Sequence, residues 1–104
     1  MFTPRFQNEQ TDRLITALLA LETTEEGYRF LEDVLTIQEM KSITQRLEVA
    51  VMLRHKDTYQ EIVRRTGAST ATIGRVNRAL QYGAEGYGLI LDRLEAEESQ
   101  QNEE

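Results

Sequence analysis

The sequence predicts an all-α fold of about six helices that contains a helix-turn-helix. Apolar residues recur every three or four positions along most of its 104 residues, as they do in amphipathic helices. No segment shows the two-residue alternation of a β-strand. Residues 58–81 supply a third observation, because two short amphipathic segments there flank a turn that contains glycine. A chain of this length is expected to form one domain.

Two amphipathic helices follow a flexible amino-terminal arm. The arm covers residues 1–10 and contains the single proline. Leucine and isoleucine at helical spacing predict a first helix over 11–21. Thr23 or Thr24 can cap a second helix that runs to about Leu35, because either hydroxyl can accept a backbone N–H from the first turn.

A longer third helix begins at a capping box. Thr36 can cap it, and Glu39 stands three residues later, where its carboxylate can accept the backbone N–H of the cap. The apolar positions of this helix extend to Leu53, and the polar run 54–57 then forms a turn. His55 lies in that run without a metal-binding partner, so we expect an exposed loop residue.

Residues 58–81 predict the helix-turn-helix itself. Gly67 can adopt the positive φ that ends the first short helix, and Ser69 is a good N-cap for the second. Two short helices joined by a tight glycine turn cross steeply, which presents the second helix to the DNA major groove. The inner faces of the two helices are apolar, at Ile62, Val63, Ile73, Val76 and Leu80.

The outer face of the second short helix has residue types that read DNA. Ala71 can touch a thymine methyl, Thr72 can bond to a base or a phosphate, and Arg75 can bind guanine. A helical hairpin that only packs against a core does not need such a face, so we favour DNA binding over that structural alternative. The predicted DNA-binding residues are Thr58, Gln60, Arg64, Ser69, Thr70, Ala71, Thr72, Arg75 and Arg78.

A break over 82–87 separates this motif from a last helix at about 88–97. Residues 98–104 are polar and acidic, and we expect a frayed tail. The predicted organisation is therefore one helical domain, residues 11–97, between the arm and the acidic tail.

The charge distribution favours a DNA-facing module within an acidic protein. The chain has a net charge of −6. Residues 41–82 contain eight basic and three acidic residues, a net +5, whereas the rest of the chain has four arginines and fifteen acidic residues, a net −11. A basic module with acidic flanks suits a specific DNA contact, and the acidic flanks oppose strong non-specific binding to phosphates.

Several protein classes are disfavoured by composition. The chain has no cysteine, so it has neither disulfides nor thiolate chemistry. No apolar run approaches the ~18 residues of a membrane span and no signal peptide is visible, so a cytoplasmic location is expected. Glu48 and Asp57 are isolated carboxylates without a catalytic partner, which argues against an enzyme. No cofactor or metal site is expected.

Apolar residues in the terminal helices predict a homodimer. A chain this short buries only a modest core, and paired DNA half-sites favour a two-fold assembly over the alternative of a compact monomer. The apolar residues that a partner would shield from water are Leu14, Leu18, Leu19, Phe30, Leu31 and Leu91.

Two separated blocks of the sequence resemble the Trp repressor family. The segments QRLEVAVMLR and TGASTATIGRVNRAL are especially similar to Trp-repressor-like proteins of the YerC/YecD type. The resemblance covers about residues 12–93 and implies six helices in an intertwined dimer, with the fourth and fifth helices contacting DNA. The matching residues are Leu35, Thr36, Glu39, Arg46, Leu53, Gly67, Ala68, Ala71, Thr72, Ile73 and Arg75.

The resemblance also implies a ligand site, which this sequence only partly retains. Arg46 and Arg75 match two arginines that flank the corepressor in that family, although Arg46 can equally be a surface or salt-bridging residue. Val76 stands where the family has a glycine against the indole of tryptophan, and Gly74 replaces a DNA-facing threonine. The DNA-binding role is therefore expected to transfer better than the tryptophan role.

The predicted function is a homodimeric, sequence-specific DNA-binding transcriptional regulator that acts as a repressor on a double-stranded operator. Two alternatives remain. The regulator can be gated by an unknown small-molecule corepressor, or the chain can be a protein-interaction module on a helix-turn-helix scaffold.

Overall fold

The computed structural model describes residues 1–103, which form six α-helices and no β-strand. This confirms the predicted all-α fold. None of the described helices is both long and apolar enough to cross a membrane. The helices are α1 (Glu9–Leu19), α2 (Thr24–Val34), α3 (Ile37–Arg54), α4 (Tyr59–Thr66), α5 (Thr70–Tyr82) and α6 (Gly86–Glu103).

Polar side chains set where the first two helices begin. The Asn8 side chain accepts the backbone N–H of Thr11 at 2.8 Å, so α1 starts at Glu9 and takes two residues from the predicted arm. The Thr23 hydroxyl accepts the N–H of Glu26 at 3.1 Å, which places the cap of α2 at the first of the two threonines proposed for it. Asn8 is as good a cap as threonine, and this local signal explains the earlier start of α1.

The predicted capping box at the start of α3 is confirmed. The backbone N–H of Glu39 donates to the Thr36 hydroxyl at 3.1 Å, and the backbone N–H of Thr36 donates to the Glu39 carboxylate at 2.9 Å. The bonds from Thr36, first from its backbone and then from its side chain, lower the pKa of Glu39 below its usual range. The charged form of Glu39 is therefore the one that holds this helix end.

α3 ends in a left-handed turn at a lysine. Lys56 has a φ of 65°, and its N–H donates to the Leu53 carbonyl at 3.0 Å. The N–H of Asp57 donates to the Met52 carbonyl at 3.1 Å. These two bonds satisfy carbonyls at the end of the helix in the pattern that usually has glycine at the left-handed position.

The chain forms two compact units, Met1–Met40 and Lys41–Glu104. The second unit contains a continuous apolar core built from α3, α4, α5 and α6. Apolar side chains from these helices, together with Ala68 from the turn between α4 and α5, exclude water from the base of the helix-turn-helix. The buried residues are Val49, Ala50, Met52, Ile62, Ala68, Ile73, Val76 and Leu91, with Val51, Leu53, Leu80, Tyr87 and Leu94 half-buried against them.

Ionic contacts join the end of α3 to α6. The Arg54 guanidinium pairs with Asp92, lies 3.5 Å from Glu95 and reaches the Gly88 carbonyl at 3.4 Å. His55 is exposed, as expected, and its Nε2 lies 3.9 Å from Glu95. These contacts add polar links to the apolar packing of α6.

α6 is longer than predicted at both ends. It begins at Gly86 and runs to Glu103, so residues 98–103, expected to be a frayed tail, continue the helix. The segment after Leu91 contains no glycine or proline and is rich in residues with high helix propensity, which outweighed its acidity. Glu104, the last residue of the predicted tail, lies outside the described residues.

Within Met1–Met40, α1 and α2 bury no residue completely. Phe30 and Leu31 are half-buried, whereas Leu19 is 81% exposed. Leu91, which we expected to need cover from a partner, is instead only 2% exposed, because it lies in the core of the other unit. The exposed apolar residues of α1 and α2 are Leu14, Ile15, Leu18, Leu19, Tyr28 and Val34.

Candidate nucleic-acid interface

Residues 67–69 form the turn between α4 and α5. Gly67 has a φ of 72°, as predicted, and its N–H donates to the Val63 carbonyl at 2.9 Å. A side chain at this φ would be strained, so glycine suits the position. Ala68 follows and is only 2% exposed, so its buried side chain anchors the turn on the core.

Thr66, the last residue of α4, forms hydrogen bonds both within the helix and across the turn. Its hydroxyl donates to the Ile62 carbonyl at 2.7 Å and accepts the backbone N–H of Ala68 at 3.1 Å. Its carbonyl accepts the side-chain N–H of Gln45, in α3, at 3.1 Å. Sequence reasoning did not single out Thr66 or Gln45, because the bond between them joins positions 21 residues apart and leaves no local pattern.

Ser69 caps α5, as predicted. Its hydroxyl accepts the backbone N–H of Thr72 at 3.1 Å, and it also donates to the Thr72 hydroxyl at 3.1 Å. Both hydrogen-bonding functions of Ser69 are therefore used within the motif. Thr72 is half-buried, and its hydroxyl keeps its own proton for a further acceptor.

The burial of α5 determines which of its residues face solvent. Ile73 and Val76 lie in the core with 0% and 3% exposure. Ala71, Arg75 and Arg78 are exposed and recur at spacings of four and three, so they form one stripe along the helix. We call these three residues the exposed stripe of α5. Thr70, at the start of the helix, is also exposed.

The two arginines of this stripe present free cationic groups. Neither Arg75 nor Arg78 has an ion-pair partner among the described residues. A guanidinium without a carboxylate partner can bind a phosphate or a guanine edge without first breaking an internal pair. The stripe thus combines one small apolar side chain, that of Ala71, with two arginines that have no ion-pair partner among the described residues.

The predicted contacts in α4 have different surroundings. Thr58 is the N-cap of this helix, where its hydroxyl accepts the N–H of Glu61 at 3.2 Å. Arg64 donates to the Glu61 carboxylate through Nε at 3.1 Å and through a second guanidinium nitrogen. These bonds lower the pKa of Glu61 and raise that of Arg64. A phosphate contact by Arg64 therefore competes with Glu61, whereas Gln60 is exposed.

The two arginines matched to the corepressor site are exposed, Arg46 on α3 and Arg75 on α5. Val76, the residue after Arg75, is buried in the core. A methyl group added at Gly74, the residue before Arg75, would meet nothing within 4 Å. α5 therefore has a filled position at Val76 and open space at Gly74.

A polar groove of about 480 Å³ lies between α3 and the end of α4. Ligand pockets are usually lined mainly by apolar and aromatic side chains, and this groove has none. Neither Arg46 nor Arg75 contributes to it. Its lining residues are Lys41, Thr44, Gln45, Glu48, Arg65 and Thr66.

Comparisons of the sequence with known proteins find relatives along most of the chain. The sequence profile of the family described as Trp repressor protein matches residues 9–95. The uncharacterized protein YerC of Bacillus subtilis (strain 168) is 47% identical over 96 residues, which cover 92% of this chain and 92% of YerC.

Two crystal structures share the fold. A candidate Trp repressor from Staphylococcus aureus superposes with a TM-score of 0.83 at 45% identity, covering 88% of this chain and 91% of that one. A TrpR-like protein from Eubacterium eligens ATCC 27750 has a TM-score of 0.83 at 49% identity, covering 86% of this chain and 93% of its own.

Proposed function

Because this chain belongs to the Trp repressor family, we propose that it is a homodimeric, sequence-specific DNA-binding regulator of transcription that acts as a repressor. The family match over residues 9–95 confirms the resemblance seen in residues 12–93. The proposed partner is a double-stranded operator in the cytoplasm, and the proposed contact is the second helix of the helix-turn-helix.

The observation that carries this proposal is the exposed stripe of α5. A buried apolar face, a rigid turn and a capped first turn hold the helix, so the stripe projects from a fixed base. Arg75 and Arg78 are cations on that stripe with no ion-pair partner within the described residues. Ala71 can contact a thymine methyl near the end of the helix that enters the groove. A protein-interaction module does not require two unpaired cations in this position.

The exposed face of α1 and α2 supports the homodimer. These helices bury no residue completely, and Leu14, Ile15, Leu18 and Leu19 lie within two turns of one another on α1. A contiguous apolar surface of this kind marks an interaction site in a soluble protein. A two-fold partner would cover it and place two recognition helices at paired half-sites.

Selection of duplexes from a random pool by the full-length protein tests DNA recognition. We expect a two-fold symmetric sequence, bound about 10³-fold or more tightly than random duplex, with an affinity that falls steeply with salt. Arg75→Ala should weaken binding to the selected duplex, and Arg93→Ala, at an exposed position of α6, is the matched control. Enrichment of no sequence would contradict the proposal.

Sedimentation equilibrium tests the dimer separately. The wild-type protein should sediment as a dimer at micromolar concentration. Ile15→Glu places a charge in the apolar face of α1 and should shift the protein toward monomer, whereas Gln10→Glu, exposed in the first turn of the same helix, should not. A wild-type monomer would contradict the dimer.

A further inference from the structure

The side chain of Gln45 links the long α3 helix to the turn of the helix-turn-helix. Its Nε2 donates to the Thr66 carbonyl at 3.1 Å, and both residues are half-buried. Thr66 is the last residue of α4 and stands directly before Gly67. The bond therefore reaches the backbone at the point where the chain changes direction toward α5.

The Thr66 carbonyl belongs to the last turn of α4, where backbone acceptors have no partner further along the helix. Gln45 supplies a donor for this carbonyl. The Thr66 hydroxyl meanwhile bonds to Ile62 on one side and to Ala68 on the other. Three hydrogen bonds thus fix one residue at the entrance to the turn, and only the one from Gln45 comes from another helix.

The surroundings of this bond are polar. The groove beside it is lined by charged and polar side chains from α3 and α4. Its lining therefore offers no apolar contact that would join the two helices in place of this hydrogen bond. Ile62, in the middle of α4, is fully buried and holds that helix on the core. Gln45 adds a hydrogen bond from α3 to the end of α4, beside the buried Ala68 that anchors the turn on the core.

We propose that Gln45 is a positioning residue for DNA recognition, which fixes the turn after α4 and through it the orientation of the exposed stripe of α5. Gln45 need not touch DNA in this role. The inference rests on the proposed DNA-binding function and adds the residue that sets the geometry of its recognition helix.

Gln45→Met is the main test, because methionine has nearly the same length and high helix propensity but cannot donate a hydrogen bond. The substitution leaves the net charge unchanged, so it does not alter the electrostatic attraction to phosphates. Gln45→Glu keeps the shape and places carboxylate oxygens against the Thr66 carbonyl, and it should have the larger effect. Gln38→Met, at an exposed position of the same helix, is the control.

The first measurement needs no DNA. Amide hydrogen exchange in full-length protein should quicken about fivefold or more at Gly67 and Ala68 in Gln45→Met, since loss of one hydrogen bond loosens the turn. The amide nitrogen of Gly67, which is bonded to the Thr66 carbonyl carbon, should change its chemical shift. The exchange of core amides such as that of Val76 should stay as in the wild type.

The second measurement uses a duplex selected by the wild-type protein and a random duplex. Gln45→Met should lose about tenfold in affinity for the selected duplex and keep its affinity for random duplex, a change of about 1.4 kcal/mol in discrimination. The active fraction of each protein, from stoichiometric titration, separates this effect from unfolding.

Each other outcome overturns the proposal. Unchanged exchange at Gly67 and Ala68 means that Gln45 does not hold the turn. Quickened exchange with unchanged discrimination means that the bond does not serve recognition, and equal losses on both duplexes indicate a merely structural residue. If the wild-type protein selects no duplex, the DNA-binding function itself fails, and the exchange data alone decide whether Gln45 holds the turn.

Discussion

Ser69 and Thr72 form a closed pair at the start of the recognition helix. The Ser69 hydroxyl accepts the Thr72 backbone N–H and donates to the Thr72 hydroxyl, both at 3.1 Å. The residue that caps α5 therefore also orients a side chain that we assign to DNA contact. The stability of this helix end and the placement of the Thr72 hydroxyl depend on the same serine.

Ser69→Ala should lower the free energy of unfolding by about 1 kcal/mol, because the first turn of α5 loses its cap. It should also reduce discrimination between selected and random duplex, since the Thr72 hydroxyl loses its donor. Urea unfolding at fixed protein concentration measures the first effect. Ser42→Ala, at an exposed position within α3, is the control, and an equal change in both variants would contradict the cap assignment.

Thr72→Val and Arg78→Ala should weaken DNA binding in different ways. Thr72→Val keeps the shape of the side chain but removes the hydroxyl, so it should cost about 1–3 kcal/mol on the selected duplex and little on random duplex. Arg78→Ala removes a cation from the exposed stripe of α5, nearly two helical turns beyond Thr72. It should weaken binding to all sequences. The slope of the logarithm of affinity against the logarithm of salt concentration should become shallower by about 1. Wild-type affinity in both variants would refute the assignment of α5 as the recognition helix.

Two glycines of the helix-turn-helix should respond oppositely to alanine. Gly74→Ala should stabilise the protein by about 1 kcal/mol, because the site lies inside α5 and an added methyl meets nothing within 4 Å. Gly67→Ala should destabilise it by about 1–2 kcal/mol, because alanine is strained at a φ of 72°. Urea unfolding of both variants beside the wild type tests the pair, and a stabilising Gly67→Ala would contradict the left-handed turn.

The capping box should make stability fall in acid. Hydrogen bonds from Thr36 lower the pKa of Glu39 below its usual value of 4.5, so the stabilisation is fully present above pH 4.5 and is lost as pH falls through the lower, folded-state pKa. Glu39→Gln should therefore flatten the acid limb of the stability curve, measured by urea unfolding from about pH 6 to about pH 3. Glu32→Gln replaces an exposed carboxylate of α2 and serves as the control. The same acid limb in wild type and Glu39→Gln would refute this account.

Free tryptophan should neither bind this protein nor strengthen its DNA binding. Arg46 and Arg75 can hold a carboxylate, but Val76 is only 3% exposed and belongs to the core at the position where the family has glycine. Forcing a ring into occupied space costs about 1–3 kcal/mol, enough to cancel a modest coupling. Calorimetry with the wild-type protein should show no binding heat, with Val76→Ala as the comparison. Tight binding by the wild type would show that the indole needs no space at this position.

Local signals in the sequence predicted most of the helix-turn-helix. A capping residue acts within three positions of itself and a left-handed turn within one, so the sequence predicts the roles of Thr36, Gly67 and Ser69. The structure adds Thr58, predicted only as a DNA contact, as the N-cap of α4. Asn8 gives the same kind of signal, and it caps α1 two residues before the predicted start of that helix.

The predicted carboxyl-terminal boundary failed for a different reason. Acidic composition suggested a frayed tail after residue 97, whereas α6 continues to Glu103. Leu91 and Leu94 pack this helix on the core, and Arg54 pairs with Asp92 across from α3. This anchoring supplies the costly nucleus of the helix, and the segment after Leu91 then continues it because its residues have high helix propensity.

The sequence by itself determined the helix order, the turn at Gly67 and the residue types of the recognition helix, because these depend on neighbours a few positions apart. Only the tertiary structure decided that Leu91 is covered within its own chain and that Gln45 reaches Thr66. It also revealed that Arg64 is paired with Glu61, whereas Arg75 has no ion-pair partner in the part of the chain that the structure describes. Those facts depend on where the side chains lie in the folded chain, which periodicity and capping motifs do not encode.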